Sequence, residues 1–307
     1  MTLTALPMTV SKSAPAFAAD TALVTDVRPS PNYGERRRLM PNPGHLLQPD
    51  SIILHYTGMP DGRGLTGAER AIRWLTTPES QVSCHYVVDE DGTITQLVPE
   101  SRRAWHAGVG SWRGCTDINS MSIGIEIVNP GHFWDMSGAA FGSDQAEVHP
   151  GYRDFPERQI QALILLLKDI CARNDISSRN ILAHSDIAPT RKSDPGERFP
   201  WALLAAEGLG LWVEPAPILD NTPTFAADID ASTWLSVQRM LGIIGYAIDE
   251  TGIDDAQTAA VITAFQRHWR PDQVDGVLDQ STLMTLKSLA GVIDHTKDAE
   301  TCMCGDR

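Results

Sequence analysis

The sequence predicts an α/β fold, a central β-sheet flanked by helices, with a small three-helix bundle at its C-terminal end. Three observations predict it. Short apolar runs that stop at polar or turn residues, SIILHY at 51–56, SIGIEIV at 122–128 and ILA at 181–183, have the length and composition of buried strands. Between them lie helical patterns, above all the one in which Ile160, Leu163, Ile164, Leu167 and Cys171 recur at i, i+3, i+4, i+7 and i+11. Beyond a proline-bearing stretch, three short amphipathic segments crowd into residues 228–292.

The 307 residues suffice for two domains or one large one. At 42% hydrophobic and 21% charged, the composition is that of an ordinary globular protein. There is no apolar run of about 18 residues, so no transmembrane segment is expected. A net charge of −14 without a basic stripe argues against nucleic acid as a partner, yet leaves an uncharged or mixed-charge polymer open. Five scattered cysteines (Cys84, Cys115, Cys171, Cys302 and Cys304) do not make a disulfide framework. A monomer is expected.

Residues 1–28 read as a mobile leader. It ends in small residues such as Ala16, Ala18 and Ala19, but it has no basic start and Pro7 breaks its apolar run. A cytoplasmic location is therefore favoured, with the periplasm or cell envelope as the alternative. The first domain, 29–212, opens with an extended arm, RPSPNYGERRR, wrapped around it. The strand at 51–56 places His55 near its C-terminal end. Thr66 and Glu69 form a capping box for a helix running to about Leu75. The turn Asp91-Gly92 joins two strands into a hairpin.

Residues 102–120 form a long irregular loop with Trp105, His106, Trp112 and Arg113, suited either to a groove wall for a sugar or peptide or to a lid over the core. In the next strand, Ile123, Ile125 and Ile127 face one way and Gly124 and Glu126 the other. Burying an unpaired carboxylate is costly, so Glu126 must meet a cation, a metal-bound water or solvent; a half-exposed edge strand is the plain alternative. An insertion-like loop follows at 129–151, then the core helix. Residues 213–227, with three prolines, form a linker to the helices of 228–292, which carry no obvious catalytic groups and read as a binding module. Residues 293–307 are a polar tail.

The stretch ILAHSDIAPTRKSDPG, 181–196, holds most of the chemistry. His184 and Asp194 are ten residues apart, too far for one helix face, and Pro189, Pro195 and Gly196 allow the backbone to curl them together. Lys192 supplies a positive charge between them. The residues alone support two readings, a shared metal ion or a surface loop with a solvated His and Asp.

The motifs LHYTG, VSCHYVV, AWHAG, SIGIEIVN and AHSDIAPTRKSDPG, in this order, resemble the zinc N-acetylmuramoyl-L-alanine amidases of the AmpD and AmiD type, over roughly residues 30–212. The segments WLSVQRML, AVITAFQRHW and DGVLDQSTLMTL resemble the peptidoglycan-binding domain often appended to such enzymes. The resemblance implies a mixed central sheet and a zinc ion held by His55, His184 and Asp194. It also implies Glu126 as the catalytic carboxylate and Lys192 as the cation facing the oxyanion. Trp105, His106, Arg113, Asn129 and His85 are then expected at the substrate groove, and His45, His132, His149, His268 and His295 at the surface. The implied reaction is hydrolysis of the amide between N-acetylmuramic acid, or its 1,6-anhydro form, and L-alanine in peptidoglycan or muropeptides. A peptidoglycan sensor that binds without cleaving is the rival; it would lack a zinc ligand or the glutamate, and neither is missing. A zinc peptidase is disfavoured because H-E-x-x-H is absent.

Overall fold

A computed structural model describes residues 16–36, 48–132, 152–218 and 229–294. The leader up to residue 15, most of the 129–151 loop, the middle of the linker and the tail lie outside the described residues, with His45, His149, His295, Cys302 and Cys304. The central sheet contains β1 (Asp26–Val27), β3 (Ser51–Tyr56), β4 (Tyr86–Val88), β5 (Ile94–Gln96), β7 (Ser122–Ile127) and β8 (Ile181–Ala183), in the order β1-β5-β4-β7-β3-β8. The short β2 (Tyr33–Glu35) pairs antiparallel with β6 (Arg102–Ala104) and ties the arm to the domain. The sheet is mixed as expected: β3 runs parallel to β7 and β8, while β4 and β5 form the antiparallel hairpin.

Because side chains alternate along a strand, the sheet has two different faces. Ile52, Leu54, Ile123, Ile125 and Ile127 pack with Leu163, Leu167 and Ile170 of the core helix α3. That helix comes third in the chain, after α1 (Gly67–Thr76) and the single turn α2 (Ile118–Met121), and spans Glu157–Asn174. The other face presents Ile53, His55, Val87 and Glu126. Val87 packs with Ala68, Ala71 and Leu75 of α1. Thr66 caps α1 as its sequence indicates, its side chain accepting from the Glu69 N–H. Since β7 lies between β3 and β4, the edge-strand reading of Glu126 falls.

Two short helices follow, α4 (His184–Ile187) and α5 (Trp201–Ala206), and then the three C-terminal ones: α6 (Ala231–Ile244), α7 (Ala256–Trp269) and α8 (Gln280–Asp294). Asp230 and Asp255 cap α6 and α7 by accepting from Thr233 and Thr258, each at 2.8 Å. The three helices do not stand apart from the sheet domain. Trp234, Val237, Leu241, Phe265 and Leu289 share one apolar core with Ile53, Ala107, Trp112, Leu182 and Ile187. Trp112 is therefore a core residue, its ring edge-on to Tyr246 with centroids 5.1 Å apart. Gly245, at φ 140°, lets the chain pass there; a Cβ would sit 2.5 Å from the Trp112 ring.

Two histidines expected at the surface are buried. His268 is stacked between Trp201 and Trp269 with ring centroids 3.7 Å away on each side, and its Nδ1 donates to Asp186. His132 lies between Tyr56 and Glu197. In both cases the burying partners come from distant segments, so the surrounding polar sequence misleads. Cys84 and Cys171 carry free thiols, whereas Cys115 is disulfide-bonded.

Candidate metal centre

His55 sits one residue from the end of β3, directly in register with Glu126 on the neighbouring β7, and both point to the same face. Leu54 pairs with Ala183 at the end of β8, so the next residue there, His184, opens α4 beside His55. A compact loop brings Asp194 back. The Arg191 and Lys192 N–H groups both bond to Ala188 O at 3.0 Å, and the Asp194 carbonyl accepts from Ser185 N–H at 3.0 Å. Gly196, at φ 82°, completes the curl, and a side chain there would collide with the Tyr152 hydroxyl. The turn after β8 is thus one turn of helix followed by the loop that the prolines and glycine suggest.

Three buried atoms converge. His55 Nδ1 and His184 Nδ1 are 2.9 Å apart, and Asp194 Oδ2 lies 3.0 Å from the first and 2.9 Å from the second. Among the described residues this is the His, Cys, Asp and Glu cluster able to hold a metal ion. All three side chains are buried, so the reading of a loop with a solvated His and Asp falls.

The donors fit a zinc ion, as the partners behind them show. His184 Nε2 is 3.0 Å from Ala107 O, a contact that requires an N–H. In neutral His184 the Nδ1 lone pair must then face Asp194 Oδ2, an arrangement of two lone pairs that only a cation makes favourable. A similar argument sets His55. Ser122 Oγ donates to Ile118 O at 2.6 Å, so it accepts from His106 Nε2 at 3.3 Å. His106 Nδ1 therefore accepts from His55 Nε2 at 3.1 Å, and His55 Nδ1 is left with its lone pair toward the centre. Tetrahedral ligands ~2.0–2.1 Å from zinc stand about 3.3 Å apart, close to the spacing seen.

Burial, reinforced by His184, lowers the His55 pKa to about 4. For Asp194 burial acts upward, but contact with His184 and His55 outweighs it and holds the carboxyl well below its ordinary range. Both shifts favour the ligand protonation states, neutral imidazole and ionised carboxylate. Glu126 behaves oppositely. Burial, and then the charge of Asp194, raise it well above the usual carboxylate range, while Lys192 opposes the rise. Its Oε2 is buried with no hydrogen-bond partner among the described residues. Lys192 is half-buried and acts electrostatically on both His55 and Glu126.

The expected groove residues divide. His106 is half-buried behind His55, which it orients, and the absence of a side chain on Gly124 leaves room for its ring. His85 is corrected to a structural role: it is fully buried, accepting from Gly124 N–H at 2.9 Å and lying 3.0 Å from Arg102 O and 3.2 Å from Arg36 Nη2. Asn129 is corrected likewise. It is buried, bonded to Arg153 O and Gly131 N–H, and shapes a turn. Arg113 reaches Asn180 Oδ1 at 3.4 Å, and its N–H bonds to Gly245 O at the junction with α6. Trp105 remains half-exposed beside Gly34 of β2. Unforeseen is a row behind Asp194, in which Tyr56 OH meets His132 Nδ1 at 3.1 Å and Ser193 Oγ at 3.0 Å, and His132 Nε2 meets Glu197 at 3.1 Å. The residue types of this row carry no signal of their own, and no spacing links them.

A mixed sheet with a His, His, Asp cluster able to hold a metal on one face, and on the adjacent strand a half-buried glutamate whose Oε2 is buried, has the arrangement of a metal-dependent hydrolase. The N-acetylmuramoyl-L-alanine amidase family matches residues 45–197, and a peptidoglycan binding domain matches residues 231–286. The chain is 36% identical over 245 residues to the N-acetylmuramoyl-L-alanine amidase AmiD of Escherichia coli (strain K12), covering 78% of this chain and 81% of that protein. It is 32% identical over 181 residues to the 1,6-anhydro-N-acetylmuramyl-L-alanine amidase AmpD of the same organism, covering 54% and 88%. Among solved structures, the complex of E. coli AmiD with anhydro-N-acetylmuramic acid-L-Ala-D-gamma-Glu-L-Lys superposes with a TM-score of 0.63 at 33% identity, over 83% of this chain and 93% of that one. AmpDh3 from Pseudomonas aeruginosa in complex with anhydromuramic pentapeptide gives 0.62 at 31% identity, over 82% and 95%. The chain belongs to the N-acetylmuramoyl-L-alanine amidase family, as an enzyme rather than a sensor.

Proposed function

We propose that the chain is a zinc hydrolase that cuts the amide between the lactyl carbonyl of N-acetylmuramic acid, or its 1,6-anhydro form, and the amino group of L-alanine. The observation that carries this reading is the buried, unpartnered Oε2 of Glu126, on a residue in register with His55 of the three-donor centre. His55 Nδ1, His184 Nδ1 and Asp194 Oδ2 would hold the zinc, which when bound polarises the scissile carbonyl and lowers the pKa of water toward ~7. Glu126 accepts the proton of the attacking water at Oε2. It can release that proton to the departing amine, because burial and Asp194 raise its affinity for protons while Lys192 limits it. Lys192 faces the negative charge that develops on the carbonyl oxygen. His106 and Ala107 O keep the two imidazoles in the tautomer that leaves Nδ1 free.

Substrate class is supported by the AmiD and AmpDh3 complexes, whose ligands are anhydromuramyl peptides. The match of residues 231–286 supports a role for the C-terminal helices in holding peptidoglycan. Among the described residues no helix is long and apolar enough to cross a membrane. A cytoplasmic enzyme would act on soluble muropeptides, and one in the envelope on the sacculus. The test is zinc-loaded protein incubated with anhydro-N-acetylmuramyl-tripeptide and, separately, with purified sacculi. Free tripeptide from the first supports the reaction. Its absence from both would refute the reaction.

A further inference from the structure

Asp186 lies two residues beyond His184, is fully buried, and has three hydrogen-bond donors. One belongs to its own segment: Asp186 Oδ2 accepts from Ala183 N–H at 2.8 Å. Because β8 is an edge strand, that N–H has no further strand to bond. The bond fixes the point at which β8 ends and the turn carrying His184 begins. The other two donors come from the C-terminal helical region, Tyr246 from the turn just past α6 and His268 from α7. Tyr246 OH donates to Oδ1 at 2.8 Å, and His268 Nδ1 donates to Oδ2 at 2.7 Å. Both donors are themselves held: Tyr246 edge-on to Trp112, and His268 between two indole rings.

The same region also braces the segment that supplies the His184 partner. Arg113 N–H bonds to Gly245 O at 2.8 Å, and Ser111 N–H bonds to Ile187 O at 2.8 Å. These contacts lock residues 107–113 between α4 and the end of α6. Ala107, at the start of that segment, presents the carbonyl that sets the His184 tautomer.

We infer that the C-terminal helical region is part of the metal centre's support: Tyr246 and His268, through Asp186, position His184 for the metal. They are positioning residues, not catalytic ones. The inference rests on the reading of His184 as a zinc ligand. It assigns the helical region a second role beside any hold on peptidoglycan, and it makes the isolated sheet domain of this chain an incomplete enzyme.

The full-length chain tests this. Tyr246→Phe keeps the ring against Trp112 and removes only the hydroxyl. His268→Phe keeps an aromatic ring between the two indoles and removes the N–H. Zinc affinity is measured for wild type, both single variants and the double variant by competition with a chromophoric chelator. kcat and KM on anhydro-N-acetylmuramyl-tripeptide follow at saturating zinc. Loss of the group hydrogen-bonded directly to a ligating histidine, which for His184 is Ala107 O, typically costs 10–100-fold in metal affinity. Tyr246 and His268 act one contact further out, so about tenfold is expected. The double variant should show a loss of that size, with a lower kcat and an unchanged KM.

Leu289→Ala separates positioning from stability. It opens the helical core at a fully buried residue remote in sequence from the Asp186 contacts. It should lower the melting temperature while leaving zinc affinity at the wild-type value. If the double variant does not fold, Tyr246→Phe alone decides by the same measurement. Wild-type zinc affinity in a folded Tyr246→Phe chain and double variant overturns the inference, as does a loss equal to that of Leu289→Ala. Wild type that binds no zinc, or His184→Ala that binds it as wild type does, would instead sink the ligand assignment beneath it.

Discussion

Gly124 separates the support of the metal from the metal ligands themselves. It lies on β7, on the same face as Glu126, and a Cβ placed there would collide with the His106 ring. Gly124→Ala must therefore push His106 aside or move a central strand. Overpacking of this kind costs typically 1–3 kcal/mol. A displaced His106 also withdraws the acceptor at 3.1 Å from His55 Nε2, so His55 is no longer held with Nδ1 toward the centre. The expected loss in zinc affinity is about 10–100-fold. Gly242→Ala is the contrast. No atom lies within 4 Å of a Cβ there, and α6 gains a better helix former, worth about 0.5–1 kcal/mol in the stabilising direction. Melting temperature and chelator competition on both variants form the assay. Gly124→Ala with wild-type zinc affinity would refute the relay from Ser122 through His106 to His55.

Leu163→Ala removes a fully buried side chain between α3 and the sheet and should destabilise the chain by about 2–5 kcal/mol in denaturant unfolding, with zinc affinity unchanged. Acid should destabilise the chain through His85, whose pKa burial, and then Arg36, lower to about 3 in the fold. Its unfolded value is about 6.5, so the unfolded chain binds the proton first and stability falls as pH drops from about 6.5 to about 3, by roughly 1.4 kcal/mol per unit for this group. His85→Gln should lessen the fall in melting temperature across that window, the remainder coming from other buried histidines such as His55. Removing zinc with a chelator leaves the His184 lone pair facing Asp194 and should lower the melting temperature, whereas zinc at 100 times its Kd should restore about 2.7 kcal/mol.

The sheet strands were legible because each depends on local pattern, whereas the ligand set came from the family resemblance, the residues alone leaving a shared metal and a solvated loop both open. Alternation along residues 122–127 places Glu126 opposite the isoleucines, and Pro189, Pro195 and Gly196 mark the curl that returns Asp194 to His184. The motifs that carry the family resemblance contain all five central residues. What lay hidden depends on contacts between distant segments. Tyr246 and His268 are 60 and 82 residues from Asp186, and no periodicity reports which face of α7 meets α4. His85 and Asn129 sit inside the family's motifs, yet their hydrogen bonds are spent on backbone groups, which only coordinates reveal. The helical character of residues 228–292 was plain; its shared core with Ile53 and Leu182 was not, because an amphipathic stripe shows that a face is covered without showing by what.

The central claim, that Glu126 carries the proton while three other residues hold the metal, is tested most directly by Glu126→Gln. Amide cleavage and bound zinc should be measured on one sample. Glutamine fills the same space at this half-buried position but cannot accept the proton, so turnover should fall by a factor of ~10²–10⁴. Zinc should stay near one per chain, since His55, His184 and Asp194 are untouched. Full activity would remove Glu126 from the reaction, and loss of zinc would show that its role is to hold the metal.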